Sequence, residues 1–213
     1  MKRGFTIFSI LAFTAACAVA QADYAFDNFQ EPGQIYNVSN GWTVSGPSNT
    51  ITSSTSLIAF QFASAASGSL SEIDVAADLW SGPNSLSISI YQDSSNSLGS
   101  LMGSWTVNGE MLPVASPGSI VAAVNSDSSN QLVSGDNYWV ALGPGDPATF
   151  ASWKLNVTGD SRAMEASSDG VNWFNDGTQS AGAFSVQVTP APEPATMALL
   201  GLGALGLIRR RRS

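Results

Sequence analysis

The sequence predicts an all-β protein: an antiparallel β-sandwich of the jelly-roll kind, flanked by an N-terminal signal helix and a short C-terminal hydrophobic helix. Three observations carry that prediction. Leu86, Ile88 and Ile90 alternate strictly with Ser85, Ser87 and Ser89, a period of two that gives a strand one apolar and one hydroxyl face. Turn-forming clusters such as Ser81-Gly82-Pro83-Asn84 and Gly143-Pro144-Gly145-Asp146-Pro147 recur between short apolar runs, as in a chain that reverses direction often. No interior segment shows a convincing 3.6-residue period, so nothing between the ends reads as a helix.

At the N-terminus, Lys2 and Arg3 precede an apolar stretch over 5–16, followed by Ala18-Val19-Ala20 and Ala20-Gln21-Ala22. A positive start, a short greasy core and small-x-small sites make 1–22 a secretory signal peptide, with cleavage after Ala22 and Ala20 as the neighbouring alternative. The domain follows over 23–189, long enough for one core. Its strand-like runs fall at 57–62, 73–75, 85–90, 105–107, 120–124, 138–142, 151–157, 162–167 and 184–188. About nine short strands with no helix between them fit a sandwich. Asp169-Gly170 is the strongest hairpin signal, read as a type I′ turn because both central residues of that turn need positive φ.

The C-terminal segment, 190–213, is built differently. Pro192-Glu193-Pro194 opens it, an apolar span over 195–208 follows, and Arg209, Arg210, Arg211 and Arg212 close it before a final serine. Two prolines set an extended, accessible segment apart from the helix that follows. The span carries Ala195, Leu199, Leu200, Leu202, Leu205, Leu207 and Ile208. As a helix it covers about 21 Å against a hydrocarbon core of about 30 Å, which suits a transient handle better than a permanent anchor. The arginines act as a stop-transfer cluster that stays on the cytoplasmic side. Gly201, Gly203 and Gly206 spell GxGxxG, but no strand precedes them and no βαβ unit follows, so a dinucleotide site is rejected.

This order of Pro-Glu-Pro, apolar span and arginine cluster resembles the PEP-CTERM sorting signal of Gram-negative bacteria. The resemblance implies export across the inner membrane by way of signal peptidase, and transient membrane anchoring. It also implies cleavage near Pro192-Glu193-Pro194 by an exosortase-type protease, and a cell-surface or extracellular destination.

Composition narrows what the domain does. All sixteen acidic residues lie between Asp23 and Glu193, whereas Lys154 and Arg162 are the only basic residues outside the targeting ends. So acidic a surface excludes nucleic acid as a partner, since that needs a positive footprint. The one cysteine, Cys17, falls in the signal peptide, and there is no histidine. Disulfides, Cys/His zinc sites, cysteine nucleophiles and Ser-His-Asp triads are therefore excluded, and carboxylates are the remaining catalytic chemistry.

The order Ile58-Ala59-Phe60-Gln61-Phe62, Leu86-Ser87-Ile88-Ser89-Ile90-Tyr91, Leu98-Gly99-Ser100-Leu101 and Asn137-Tyr138-Trp139-Val140-Ala141-Leu142 resembles the choice-of-anchor R type of exported bacterial domain. That resemblance spans about 58–188. It implies a β-sandwich paired with interchangeable anchors and no established activity.

Candidate sites are few. Of six tryptophans, Trp105 and Trp139 lie among strand residues and read as core. Trp173 stands between Asp169-Gly170 and Asn175-Asp176-Gly177, near hairpin ends, and with Asp169 and Asn172 forms the candidate ligand contact. Asn125 and Asp127 are weak calcium candidates, because their loop offers several oxygens, although such residues also make ordinary turns. Glu72, Glu110 and Glu165 have the side chain a glycosidase needs, but nothing in the sequence pairs them. The sequence therefore predicts a non-enzymatic exported protein without a resident cofactor, structural or adhesive in a biofilm or exopolysaccharide layer. A carbohydrate-binding module is the alternative, and a carboxylate-dependent glycosidase a more distant one.

Overall fold

The computed structural model describes residues 22–29, 35–114 and 119–190. The expected signal and tail helices, Ala20 of the signal cleavage site, and the whole segment over 191–213 lie outside the described residues. That segment includes Pro192, Glu193, Pro194 and Arg209 to Arg212.

Every regular element among the described residues is a strand. In chain order they are β1 (Asp23–Asp27), β2 (Gly41–Ser45), β3 (Leu57–Ala63), β4 (Gly68–Ser81), β5 (Ser85–Asp93), β6 (Leu98–Asn108) and β7 (Leu112–Pro113). Then come β8 (Ser119–Val124), β9 (Gln131–Leu132), β10 (Asn137–Pro144), β11 (Phe150–Lys154), β12 (Ser161–Ser167), β13 (Trp173–Ser180) and β14 (Phe184–Thr189). All nine expected runs fall on strands. The five further strands are short, polar or lacking in alternation: β13, for example, reads WFNDGTQS.

The strands form two sheets. One is six-stranded in the order β13-β12-β3-β10-β5-β6, antiparallel throughout. The other is eight-stranded and organised on β4. Along one edge β4 pairs β14 and then β11; along the other it pairs β9, β8 and β7. The β4–β7 pair is parallel, the one exception to the antiparallel expectation among these pairings.

Between the sheets lies a single core. Phe60, Phe62, Ile88, Ile90 and Val140 of the six-stranded sheet meet Ile73, Val75, Trp153, Phe184 and Val186 of the other, all buried. This is the sandwich-like arrangement that period-two patterning demands when one face of each sheet is apolar. Aromatic rings knit its centre: Phe60 meets Trp153 edge-on at 5.2 Å, and Trp153 meets Phe184 at 5.7 Å. Gly182 passes so close to Trp153 that a Cβ there would lie 2.4 Å from the indole. Only glycine permits that approach.

Both outer faces are also partly covered. On the six-stranded sheet, Ala59, Trp139 and Ala141 form a second apolar cluster with Tyr91, Leu98 and Trp173. The β5–β6 turn folds over it: Leu98 N–H, at the start of β6, reaches across β5, β10 and β3 to Glu165 Oε2 of β12 at 3.4 Å. Ser95 and Asn96 in that turn both have positive φ, 57° and 64°, as a two-residue type I′ connection requires. The type I′ turn thus occurs here and not at Asp169-Gly170. The β12–β13 hairpin does form, but its connection spans residues 168–172, with positive φ at Gly170 alone. On the eight-stranded sheet, Phe29, Ile35 and Tyr36 cover Ala76 and Ala183.

Candidate functional site

The first and last strands of the domain are neighbours. In β1–β14, Asp23 stands opposite Val188 and Asp27 opposite Ser185. The pair is antiparallel, so the residue after the expected signal cleavage and the residue before the tail lie at the same end of adjacent strands. Neighbouring strands are about 5 Å apart, so Asp23 and Thr189 stand at one pole of the domain. Asn28 ties the far end of β1 down: its side chain accepts from Phe184 N–H at 2.8 Å and donates to Gly182 O at 3.0 Å.

The same pole holds the expected calcium loop. Residues 125–128 line an open recess of about 250 Å³ with Ser69, Leu70, Ser71 and Thr189. Asn125 Oδ1 accepts from Asp127 N–H at 2.9 Å, and Asp127 Oδ1 accepts from Ser129 N–H at 2.9 Å. Hydrogen bonds from Ser129, backbone first, hold the Asp127 carboxyl below its ordinary value. The two residues are thus brought together, and their oxygens satisfy turn backbone in the manner of Asx turns. Among the described residues no group of three or more acidic side chains is placed to hold a metal.

The candidate ligand contact at the β12–β13 hairpin is brought together only in part. Asp169 Oδ1 accepts from Val171 N–H at 2.8 Å and Asn172 N–H at 2.7 Å, while Asn172 Nδ2 donates to Asp169 Oδ2 at 2.7 Å. These bonds, led by those from Asn172, lower the Asp169 carboxyl well below its usual range. Trp173 is half-buried and packs edge-on against Tyr91, ring centres 6.3 Å apart. Its indole therefore extends the cluster around Trp139 while Asp169 and Asn172 close the turn beside it.

Trp139 is fully buried on this outer face, and its Nε1–H donates to Asp93 Oδ1 at 2.8 Å. Gln61 Nε2 donates to the same oxygen at 2.7 Å, and Asn96 N–H to Asp93 Oδ2 at 3.1 Å. Burial raises the Asp93 carboxyl, but these three donors outweigh it and bring the group below its ordinary value. The exposed indole is a different one. Trp80, at 51% exposure, stands at the end of β4 edge-on to Phe150 at 6.1 Å. Sequence did not single it out, because which side of β4 meets solvent is set by what packs there.

The acidic residues do not converge. Glu165 lies on the outer face of the six-stranded sheet, and Glu72 on the eight-stranded one. Glu110 accepts from Ala122 N–H at 3.2 Å along the β8 edge. A pair that sequence missed is Glu72 with Asp74, two positions apart on one face of β4. Burial raises the Glu72 carboxyl, and the hydrogen bond that its protonated form donates to Asp74 adds to the rise. Side chains close enough to share that bond do not span the about 5 to 9 Å that flank a glycosidic linkage.

One further group is buried outright. Lys154 Nζ lies 2.7 Å from Asp78 Oδ2, with side chains 1% and 0% exposed. Burial pushes the Asp78 carboxyl up, and Lys154 only partly offsets this. Tyr36 lies near enough that burial and then the Asp78 charge both raise its phenol.

Compared with known proteins, residues 190–212 match the family model of the PEP-CTERM protein-sorting motif. The chain carries a PEP-CTERM sorting signal. That motif marks an exported protein processed by an exosortase and delivered to the cell surface, and its first residue, Pro190, directly follows β14. A search of curated proteins finds no match to the chain.

Proposed function

We propose that this protein is a structural or adhesive component of a Gram-negative surface layer, a β-sandwich of the choice-of-anchor type embedded in biofilm or exopolysaccharide. The reading rests on one observation above others: a sorting motif that begins where β14 ends, beside the first strand of the domain. A domain tethered at one pole presents the rest of its surface outward. Signal peptidase and exosortase are its processing partners, and the membrane holds it only transiently. Among the described residues Glu72, Glu110 and Glu165 stand apart from one another, which fits a passive role better than a glycosidase's.

The test is processing followed by retention. Glu193→Ala should leave uncut precursor in the inner-membrane fraction, whereas the wild-type protein recovered outside should begin near Asp23 and lack the residues from Ala195 onward. Mature wild-type protein that keeps 195–213 by intact mass would refute the sorting route.

Carbohydrate binding is the second reading, favoured by the half-exposed Trp80 indole and by Trp173 beside the hairpin turn. An exposed ring that stacks on a sugar face contributes about 1 to 3 kcal/mol, on the scale of base stacking. Trp80→Ala should then weaken retention on polysaccharide without lowering Tm. Unchanged retention in both the Trp80 and Trp173 variants would remove this reading.

A further inference from the structure

Lys154 is the only lysine of the 23–189 domain, and it is placed where a lysine is least expected. It ends β11, where β14 takes over the pairing with β4: Ala183 N–H donates to Lys154 O at 2.7 Å. Asp78 stands opposite Ser152, so Asp78 and Lys154 are diagonal neighbours on one face of adjacent strands, within reach of a long side chain. Tyr36 packs on Ala76 and Ala183 of this face, near enough to Asp78 to feel its charge. Apart from the Lys154 contact, neither oxygen of Asp78 has a hydrogen-bond donor among the described residues.

Such a pair is poorly served as an ion pair. Two charges taken wholly from water need further hydrogen bonds to offset their desolvation, and here the carboxylate lacks them. The protonated carboxyl suits the site better than the carboxylate, and the raised Asp78 carboxyl points the same way. A neutral amine held in contact with a neutral carboxyl is a nucleophile against an electrophile, and fixed contact of this kind is worth a very high effective concentration.

We propose that Lys154 and Asp78 condense to an intramolecular amide that cross-links β11 to β4. Lys154 Nζ attacks Asp78 Cγ, the Cγ–Oδ2 bond breaks, and Oδ2 leaves as water. Both protons of that water come from the ammonium, one of them by way of the carboxyl group. An ammonium and a carboxylate thus become a neutral amide and one water, with no oxidant or other reactant. The product removes both buried charges and ties residue 78 to residue 154. In a chain whose sole cysteine is Cys17, it supplies the covalent brace that a disulfide would supply elsewhere.

Mass and protease mapping of the exported wild-type protein, fully denatured, test this directly. The expected mass is lower by one water, about 18 Da, than that calculated from its own measured first and last residues. Trypsin should then cut the denatured domain after Arg162 but not after Lys154. A second protease that cuts between them should release a branched peptide joining the segments around Asp78 and Lys154. Lys154→Arg, which keeps the charge but cannot form this amide, should restore the full mass. A full wild-type mass with ready tryptic cleavage after Lys154 would overturn the proposal and leave a buried ion pair. Because the branched peptide comes from the interior, the result is independent of how the ends are processed.

Discussion

Truncating Trp173 separates a packing role from a recognition role. The indole is half-buried, on the edge strand β13, against Tyr91 and the cluster around Trp139. A fully buried indole covers about 150–250 Å². Half of that at about 25 cal/mol per Å² is about 2–3 kcal/mol. The edge-on pair with Tyr91 adds about 1 kcal/mol, while water refilling an edge site takes part of the total back. Trp173→Ala should therefore cost about 2 kcal/mol. A domain of this size loses about 2–4 °C per kcal/mol, so Tm should fall by about 4–8 °C. Thermal melting followed by circular dichroism reads the shift, and a polysaccharide pull-down run in parallel reads recognition. An unchanged Tm together with lost retention would refute the packing argument, because it would mean that the ring is held by ligand and not by the sheet.

Three other expectations follow from particular contacts. Gly182→Ala places a methyl group against the fully buried Trp153 ring; overpacking of this kind costs about 1–3 kcal/mol, and a wild-type denaturation midpoint would show that the strand junction yields. Asp93 is held below its ordinary carboxyl value, so its contribution to stability is full above the unfolded value of about 3.9 and is lost as pH falls through the folded one. Asp93→Asn should thus lower Tm at pH 7 and narrow its gap to wild type at pH 2–3; a gap that stays constant across that range would contradict the assignment. Millimolar calcium should leave Tm unchanged, because Asn125 and Asp127 spend their oxygens on turn backbone; a rise reversed by chelator would instead establish binding by mass action.

The sequence alone determined the features that are written locally. The alternation over 85–90 marks β5 because side chains of a strand alternate in direction, and no distant residue is needed to read it. The tail is legible for a similar reason: Pro-Glu-Pro, a greasy span and four arginines act through composition and order. Four strands, β1, β2, β7 and β9, were missed, and β13 was foreseen only as the second arm of the Asp169-Gly170 hairpin, its polar sequence becoming a strand because β12 offers it an edge. The Asp169-Gly170 reversal was foreseen, but its turn type was not, since Asp169 caps two backbone amides and so favours a longer loop.

Only the tertiary structure decided which outer-face residues are buried. Trp139 reads as core and is fully buried, yet on the face away from the main core, under a turn whose Leu98 reaches across three intervening strands to Glu165. The meeting of Asp78 with Lys154, the neighbourhood of β1 and β14, and the exposure of Trp80 are equally invisible in the linear chain. In each case the partners lie far apart in sequence and are joined by strand pairing, and pairing register is a property of the whole sheet. Local pattern fixes which way a side chain points, whereas only the assembled sheets fix what it meets there.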